Sequence, residues 1–374
     1  MPRRGENIHR RHDGRWEGRF LDYYTSKGKA HYKSVYDGSY AGVKAKLKSI
    51  QAEHTRPALQ NIGIETICFE WLDHKKLLLK ESSYSKYYDT ICNHIIPFFK
   101  HAEINAITLE MLNGFVANLY YHGRVDKLGG LSAKTIRDII AVLRQLLKYV
   151  KQKQHLERFC FDAFQMPKVQ QCESNILSVS EHAKLISYIQ SNLTMSNVGV
   201  LLALYTGVRL GELCALSWDD IDFELGTLRI TKTLQRIKNV DAIISTKTKI
   251  VIGQPKSQKS IRTIPIPTFL LALLIQYKPI KSGFCFLLTG TAKYIEPRTY
   301  QTRYATLLKK ANLRYVNFHI LRHTFASMAI EVGFDMKSLS EILGHSSVRF
   351  TLDRYVHSSH AQKRNCMEKM KHFY

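Results

Sequence analysis

The stretch Thr206 to Asp222 has the sequence TGVRLGELCALSWDDID, and it follows an apolar run that is hydrophobic on all sides. This run, NVGVLLALYTG, predicts a buried helix, so Arg209 comes just after a core helix and a glycine, and Glu212 lies one helical turn further on. An arginine placed here can donate two parallel hydrogen bonds to a phosphate, and Glu212 can orient it. Taken alone, an arginine and a glutamate three residues apart are usually a surface ion pair.

A second polar pair lies in FHILRHTFASMAIEVG, Phe318 to Gly333. The pattern predicts a helix in which His319 and Arg322 share one face near its start, because residues three apart are neighbours on a helix. An imidazole and a guanidinium on one face suit a single phosphate group. The spacing H-x-x-R is common, so alone it is a weak signal.

The third stretch is ILGHSSVRFTLDRYVH, Ile342 to His357, in which a Gly344–His345 turn precedes Tyr355 by ten residues. A tyrosine in such a polar segment is usually just half-buried. Cleaving a phosphodiester without a metal requires a nucleophile, cations around the developing charge and an acid for the leaving oxygen. The three stretches together supply side chains of each kind.

The motifs G-x-R-x-G-E-L with a downstream L-x-W-x-D-I-D, H-x-L-R-H-T and L-G-H-S-S…Y occur in this order along the chain. In this order and spacing the chain resembles the tyrosine recombinases, the phage-integrase family, and among them the integrases of phages and conjugative transposons. The resemblance is strong from Leu177 to the C-terminus and moderate over the helical middle of the chain.

The resemblance implies that Tyr355 attacks the scissile phosphate and forms a 3′-phosphotyrosyl bond, which conserves the bond energy and makes ATP unnecessary. Lys256 would protonate the departing 5′ oxygen, and His319 is the general-base candidate for the Tyr355 proton. Ser257 replaces a threonine that relatives often carry, which leaves Lys259 as a second candidate for the acid. The implied catalytic residues are Arg209, Lys256, His319, Arg322, His345 and Tyr355.

Composition agrees with a nucleic-acid partner. The 374 residues carry 55 Lys and Arg against 31 Asp and Glu, a formal net charge of +24, which favours a polyanion. Apolar runs such as Phe269 to Ile275 are far shorter than the roughly 20 residues that span a bilayer. The opening MPRRGENIHRR lacks the apolar core of a signal peptide, so secretion is not expected.

The seven cysteines are odd in number and show no C-x-x-C spacing, which argues against a disulfide framework and a zinc site. We therefore expect reduced thiols and a cytoplasmic protein. The 16 histidines contain no H-E-x-x-H motif, and no metal or other cofactor is predicted.

The first 60 residues predict two or three short strands followed by a helix, with hairpin turns at Asp13-Gly14, Lys27-Gly28 and Asp37-Gly38. By resemblance this segment is an arm-type DNA-binding domain, and the alternative is a solvated basic tail. Cationic and aromatic residues are interleaved in it: Arg10, Arg11, Arg15, Arg19, Lys27, Lys29 and Lys33 with Trp16, Tyr23, Tyr24 and Tyr32.

The remaining chain predicts two further domains. Ile64 to Phe164 has a helical period, and Ser132 is placed to cap its last helix, before the polar linker Gln165 to Ser178. Helices then flank β-branched strand patterns between Thr227 and Pro267. The predicted fold is multidomain: an arm-binding sheet with a helix (1–60), an all-α core-binding domain (64–165) and an α+β, mainly helical catalytic domain (175–374).

The predicted function is that of a site-specific recombinase, the integrase of a mobile element, which integrates and excises DNA through a Holliday junction. The resemblance implies a homotetramer on double-stranded DNA attachment sites, together with an excisionase and a DNA-bending host protein. The alternatives are a host recombinase that resolves chromosome dimers, a type IB topoisomerase, and a DNA-binding protein that has lost cleavage. The first usually lacks the N-terminal extension.

Overall fold

The structure is a computed structural model. Tyr355 is the last residue that it describes, and only the backbone of this residue is described. Lys256 lies outside the described residues. The residues described are 7–24, 30–54, 63–102, 107–154, 165–168, 176–240, 246–255, 257–279, 284–345 and 347–355.

The chain divides into two compact units, Met1–Lys80 with Tyr87–Lys168, and Glu81–Lys86 with Val169–Tyr374. The first unit contains both the N-terminal sheet and most of the helical segment. The division at Lys168 falls inside the predicted linker, while the three-domain boundaries stay a prediction.

An antiparallel sheet and a helix form the N-terminal part, as the sequence predicts. The strands are β1 (Ile8–Arg10), β2 (Trp16–Tyr24) and β3 (Ala30–Asp37), in the order β1-β2-β3. Helix α1 (Tyr40–His54) packs against them so closely that a Cβ on Gly18 would lie 2.5 Å from Val43 Cγ1.

The predicted turns of this part differ in outcome. Gly14, with a φ of 85°, lies in the turn between β1 and β2, where the left-handed region favours glycine. The Lys27-Gly28 pair lies outside the described residues. Asp37-Gly38 was expected to form a hairpin, but it joins β3 to α1, because the Asp37 carboxylate accepts the Ser39 N–H at 3.1 Å and starts the helix.

Helices make up the middle of the chain. They are α2 (Ile64–Lys76), α3 (Glu81–Thr90), α4 (Ile96–Phe99), α5 (Leu109–His122) and α6 (Ala133–Gln154). The Ser132 hydroxyl accepts the Thr135 N–H at 3.2 Å and so caps α6, as predicted. Between α3 and α4 the residues Ile91–Ile95 form a π-helical turn, just before Pro97. Proline lacks an N–H and cannot continue the regular helical ladder, which explains the break.

After Val169 the second unit continues with three helices: α7 (Val179–Ser191), α8 (Met195–Thr206) and α9 (Leu210–Ala215). Ser178 and Glu181 form a capping box at the start of α7. The all-round apolar run forms α8, and eight of its residues are buried, as the sequence indicates.

Two small antiparallel sheets follow, which gives the predicted α+β character. Strands β4 (Ile221–Asp222), β5 (Thr227–Ile230) and β8 (Arg262–Pro265) form one sheet, and β6 (Thr233–Lys238) pairs with β7 (Thr248–Gly253) in the other. A 3₁₀ turn, Gln258–Ser260, leads into β8.

The rest of the described chain is helical: α10 (Thr268–Tyr277), α11 (Pro297–Lys310), α12 (His319–Glu331), α13 (Met336–Leu343) and α14 (Val348–Tyr355). Phe325 and Ala329 of α12 cluster with Leu339 and Leu343 of α13, which fixes these two helices against each other. Within the described ranges no helix has the length and hydropathy that a membrane span requires.

Candidate active site

Arg209 occupies the junction between α8 and α9. Helix α8 ends at Gly207, whose φ of 64° turns the chain away, and Arg209 is the extended residue just before α9. Its backbone N–H donates to the Glu212 carboxylate at 2.9 Å, and its Nη1 donates to the same group at 2.8 Å. The Arg209 side chain is 36% exposed and that of Glu212 only 2%, so a reachable guanidinium rests on a buried carboxylate.

A second arginine holds that carboxylate. Arg262 of β8 donates from Nη2 and Nη1 to the two Glu212 oxygens at 2.9 and 3.2 Å. Burial alone would raise the pKa of Glu212, but the hydrogen bonds and charge of Arg262, with help from Arg209, hold that pKa below its usual value. Glu212 is therefore an ionised group inside the protein, as a buried ion pair requires.

Arg322 ties the Arg209 loop to α13. It is 2% exposed, and from α12 its Nη1 donates to the Gly207 carbonyl at 2.7 Å. Its Nη2 donates to the Leu343 carbonyl at 2.6 Å. His319 and Arg322 both lie on α12, but His319 is exposed, whereas the Arg322 guanidinium points into the interior. Their predicted action on one phosphate stays a prediction.

The carboxyl end of α13 receives three guanidinium groups. The Ile342 carbonyl accepts Nε of Arg262 at 2.5 Å, and the Gly344 carbonyl accepts Nη2 of Arg209 at a long 3.4 Å, on either side of the Leu343 contact. The last carbonyls of a helix have no partners in the helix and lie at its negative end. Arginines from three separate elements therefore converge on one short turn.

His345 follows this turn. It is buried, and its Nδ1 lies 2.8 Å from the Thr351 hydroxyl of α14. Burial, and then the charges of Arg322 and Arg209, lower the pKa of His345 to about 3. The imidazole is therefore neutral near pH 7 and keeps one N–H for donation.

His319 lies at the edge of the site. It is exposed at the start of α12, its backbone N–H donates to Asn317 at 3.0 Å, and its ring stands 4.6 Å from the His323 ring. It lines a recess of about 300 Å³ with the residues that flank Arg209. The remaining lining residues are Val208, Leu210, Gln301, Asn317 and Phe318.

The Gln258–Ser260 turn, which follows Lys256, also lies beside the end of α13. A Cβ on Gly344 would lie 3.2 Å from the Lys259 carbonyl oxygen, so the backbone of the Gln258–Ser260 turn passes beside the α13 end. Lys259 itself has an exposed side chain. At the other side, α14 ends at Tyr355 and is joined to His345 through Thr351.

The structure thus brings Arg209, Arg322 and His345 together, with His319 at the rim. The sequence analysis missed Arg262, although a signal existed: in β8 the buried positions alternate, so Arg262 shares the inward register with Ile264. An arginine at an inward strand position needs a buried acid, and Glu212 is that acid. Among the described residues no group of three His, Cys, Asp or Glu side chains is arranged to hold a metal ion.

Comparison with known proteins identifies the sequence family of the chain. The sequence model of the phage integrase family matches residues 174–362, about half of the chain, and the N-terminal SAM-like domain of phage integrases matches residues 64–120. A "Tyrosine recombinase XerC-like" of Caldanaerobacter subterraneus is 26% identical over 332 residues, covering 83% of each chain. The ICEBs1 integrase of Bacillus subtilis is 24% identical, covering 84% of each chain.

Solved structures share the fold. The Tn1549 transposon integrase, in complex with circular intermediate DNA, superposes with a TM-score of 0.65 at 21% identity, covering 83% of this chain and all of the other. A lambda integrase dimer on a core site covers 95% of this chain with a TM-score of 0.56 at 16% identity. By sequence family, supported by this fold, the chain belongs to the phage integrase family and is a tyrosine recombinase.

Proposed function

We propose that this recombinase integrates and excises a mobile genetic element, cutting and rejoining DNA through a 3′-phosphotyrosyl bond at Tyr355. One observation carries the proposal: Arg209, Arg322 and His345 converge at the end of α13, and Thr351 joins that end to the helix on which Tyr355 lies. Cations and a neutral donor gathered at one turn suit a phosphate.

The reaction needs no external energy. The Tyr355 hydroxyl attacks phosphorus while the 5′ oxygen leaves, and the attack of a second strand's 5′ hydroxyl reverses the step and releases Tyr355. His319 accepts the tyrosine proton, and Lys256 gives a proton to the leaving 5′ oxygen. Arg209 and Arg322, with the neutral imidazole of His345 as a further donor, stabilise the charge on the non-bridging oxygens. One arginine in such a place is worth about 10³ to 10⁵ in rate in other phosphoryl-transfer enzymes.

The arginines have exchangeable partners. In the structure Arg209 and Arg322 donate to neutral carbonyl oxygens of Gly344, Leu343 and Gly207. A phosphate adds a full negative charge and can accept two parallel hydrogen bonds from one guanidinium, which a carbonyl oxygen cannot do, so a scissile phosphate competes well for these donors. The protein scaffold thus preorders the cations before DNA arrives.

The proposed partner is double-stranded DNA at the attachment sites of the element. The net charge of +24 supports phosphate binding at any sequence, with affinity that falls as salt rises. We extend the proposal to a homotetramer, in analogy to a lambda integrase tetramer on a Holliday junction. An excisionase and a DNA-bending host protein complete the proposed assembly, which works in the cytoplasm, where the DNA is.

The N-terminal sheet is the proposed arm-binding domain. Glu17 is 2% exposed and accepts hydrogen bonds from Ser34, Arg11 and Arg19. The Ser34 hydrogen bond, and then that of Arg11, lower the pKa of Glu17 to about 2. An ionised carboxylate therefore holds two arginines on one sheet face, beside Tyr36, whose ring lies 5.6 Å from the Arg11 guanidinium.

We propose the domain limits 1–60, 64–165 and 175–374.

A second candidate is a host recombinase that resolves chromosome dimers, which the similarity to the XerC-like relative favours. The N-terminal sheet and α1 weigh against it, because host recombinases of this kind usually lack such an extension. Both candidates use the same chemistry, so the DNA sites decide between them.

The test uses a plasmid on which the two ends of the encoding element flank a marker. The wild-type protein should release a marker circle and reseal the plasmid, and Tyr355→Phe should do neither. Relaxation of any supercoiled plasmid without circle formation would instead indicate a topoisomerase. Action on a chromosomal dimer site but not on these ends would indicate the host recombinase.

A truncated protein tests the arm assignment. Deletion of residues 1–60 should spare cleavage at the crossover site, because the catalytic residues lie in the second unit, yet it should abolish integration. Full integration by the truncated protein would contradict the assignment.

A further inference from the structure

We propose that Arg262 is a positioning residue of the active site. It orients Arg209 through the Glu212 carboxylate, and it fixes the turn before His345 through the Ile342 carbonyl. This inference rests on the proposed function. Arg262 is not among the catalytic residues that the resemblance implies.

Both oxygens of the Glu212 carboxylate accept hydrogen bonds from Arg209 and from Arg262. Its Oε1 accepts Arg209 Nη1 at 2.8 Å and Arg262 Nη1 at 3.2 Å, and its Oε2 accepts Arg262 Nη2 and the Arg209 backbone N–H, each at 2.9 Å. The bidentate contact with Arg262 fixes the plane of the carboxylate, because two parallel hydrogen bonds define one orientation. Arg209 meets the carboxylate in that orientation.

Exposure and hydrogen-bond partners together separate the roles of the two arginines. The Arg262 side chain is 5% exposed, whereas the Arg209 side chain is 36% exposed. Both terminal nitrogens of Arg262 donate to the buried Glu212 carboxylate, whereas Nη2 of Arg209 and both terminal nitrogens of Arg322 donate to neutral carbonyls, which a phosphate can replace. Arg262 therefore affects the reaction only through the groups that it holds.

Arg262 connects three parts of the site through one guanidinium. Four hydrogen bonds leave it: two to Glu212, one from Nε to the Ile342 carbonyl at 2.5 Å and one from Nη1 to the Ser260 carbonyl at 3.0 Å. Ser260 ends the turn that follows Lys256, and Ile342 precedes the turn of His345. One guanidinium therefore connects the turn that follows Lys256, the end of α13 before His345, and the loop that carries Arg209.

The backbone at Gly344 packs closely against the Arg262 side chain. Gly344 has a φ of 64°, and a Cβ there would lie 3.0 Å from Arg262 Cδ, closer than side chains usually pack. A lysine at position 262 would keep the charge but lose the planar fork, since an ammonium cannot donate to the carboxylate and to two carbonyls in fixed directions. Arg262→Lys is therefore the informative variant.

The experiment measures single-turnover cleavage of a nicked duplex that contains the crossover sequence of the element ends. Arg262→Lys should cleave about 10²-fold more slowly at saturating protein, comparable to the loss of one transition-state donor. DNA affinity should stay within about threefold, because most phosphate contacts lie elsewhere. The matched control is Arg314→Gln, which also breaks an Arg–Glu pair and a carbonyl contact, to Glu181 and Ile176, and should cleave as the wild type does.

A second substrate separates positioning from mere stability. A methylphosphonate at the scissile position lacks the charged oxygen that Arg209 neutralises, so a misplaced Arg209 matters less on it. The slowing by Arg262→Lys should shrink to about a tenth of its value on the phosphodiester, and Arg209→Ala should behave alike. Equal slowing on both substrates would overturn the proposal.

A double variant guards against a folding defect. Arg262→Gln with Glu212→Gln removes the buried charges together, and neutral replacement of a buried pair often restores stability. If this variant melts as the wild type does and also cleaves as the wild type does, the pair is only structural and the proposal fails. Absence of an adduct with the wild-type protein would instead refute the proposed function.

Discussion

Nη1 of Arg322 donates a hydrogen bond of 2.7 Å to the Gly207 carbonyl oxygen, across 115 residues of sequence. Arg322, from the motif H-x-L-R-H-T, thereby fixes the loop between α8 and α9 that carries Arg209. Because Gly207 ends α8 and Arg209 follows two residues later, this one bond links the position of the half-buried Arg209 to that of the buried Arg322. The geometry of the site therefore depends on the turn at Gly207 as much as on the arginines.

Replacement of Gly207 by alanine should disturb that turn. Its φ is 64°, and an added Cβ would lie 2.7 Å from Phe325 Cδ1 and 2.8 Å from Leu343 Cδ2. We expect a loss of about 2–4 kcal/mol in unfolding free energy from strain and overpacking, measured by denaturation. Gly290→Ala is the control: its φ is 62° with no atom within 4 Å of the new Cβ, and about 1–2 kcal/mol is expected. Equal losses in both variants would contradict the packing argument.

Arg322→Lys should separate charge from geometry. The buried guanidinium serves the carbonyls of Gly207 and Leu343 together, and an ammonium cannot reproduce the fork. One carbonyl left without a partner costs about 1–3 kcal/mol, and cleavage should slow about 10²- to 10³-fold. Arg314→Lys, at an exposed pair with Glu181, should change stability by less than about 1 kcal/mol and leave cleavage intact. Normal cleavage by Arg322→Lys would remove this residue from the catalytic set.

His345 should stay neutral across the ordinary pH range. Its pKa is about 3 in the folded protein, lowered by burial and by Arg322 and Arg209, against about 6.5 when unfolded. The unfolded chain binds more protons between these values, so this residue's contribution makes stability fall as pH drops from about 6.5 toward 3, and it is constant above. Imidazole ¹⁵N shifts, assigned with His345→Gln, should show no protonation between pH 8 and 5. A midpoint near 6.5 would contradict the site geometry.

Much of the fold could be predicted from the sequence because periodicity reports burial directly. The all-apolar run became the buried α8, and Ser132 caps α6 where the period begins. The π-helical turn before Pro97 was not predicted, because a missing N–H breaks a helix in several ways that look alike in sequence.

The site was only partly predictable. Arg209 and Arg322 belong to recognisable motifs, and the structure places them at one turn. Arg262 was missed because its role depends on a partner 50 residues away, and no local pattern encodes the pairing with Glu212. Similarly, the low pKa of His345 comes first from burial and then from the charges of arginines on three other elements, which only the fold brings together.

Lys256→Ala should slow strand cleavage far more than DNA binding, because the lysine is the proposed proton donor to the 5′ oxygen. A substrate with sulfur at the 5′ bridging position should restore much of the rate, since a thiolate leaves without protonation. Lys259→Ala, at an exposed side chain of the following turn, is the matched control and should cleave as the wild type does. Equal losses in cleavage and binding for Lys256→Ala would move the acid to Lys259 or elsewhere.

The central claim is that Tyr355 forms a covalent bond to DNA. Purified protein is incubated with a nicked duplex from the DNA that flanks its own gene, and the products are separated under denaturing conditions and mapped by peptide mass spectrometry. We predict a protein–DNA adduct at Tyr355 that is absent with Tyr355→Phe. Tight binding to that DNA without any adduct, or an adduct at another residue, would contradict the claim.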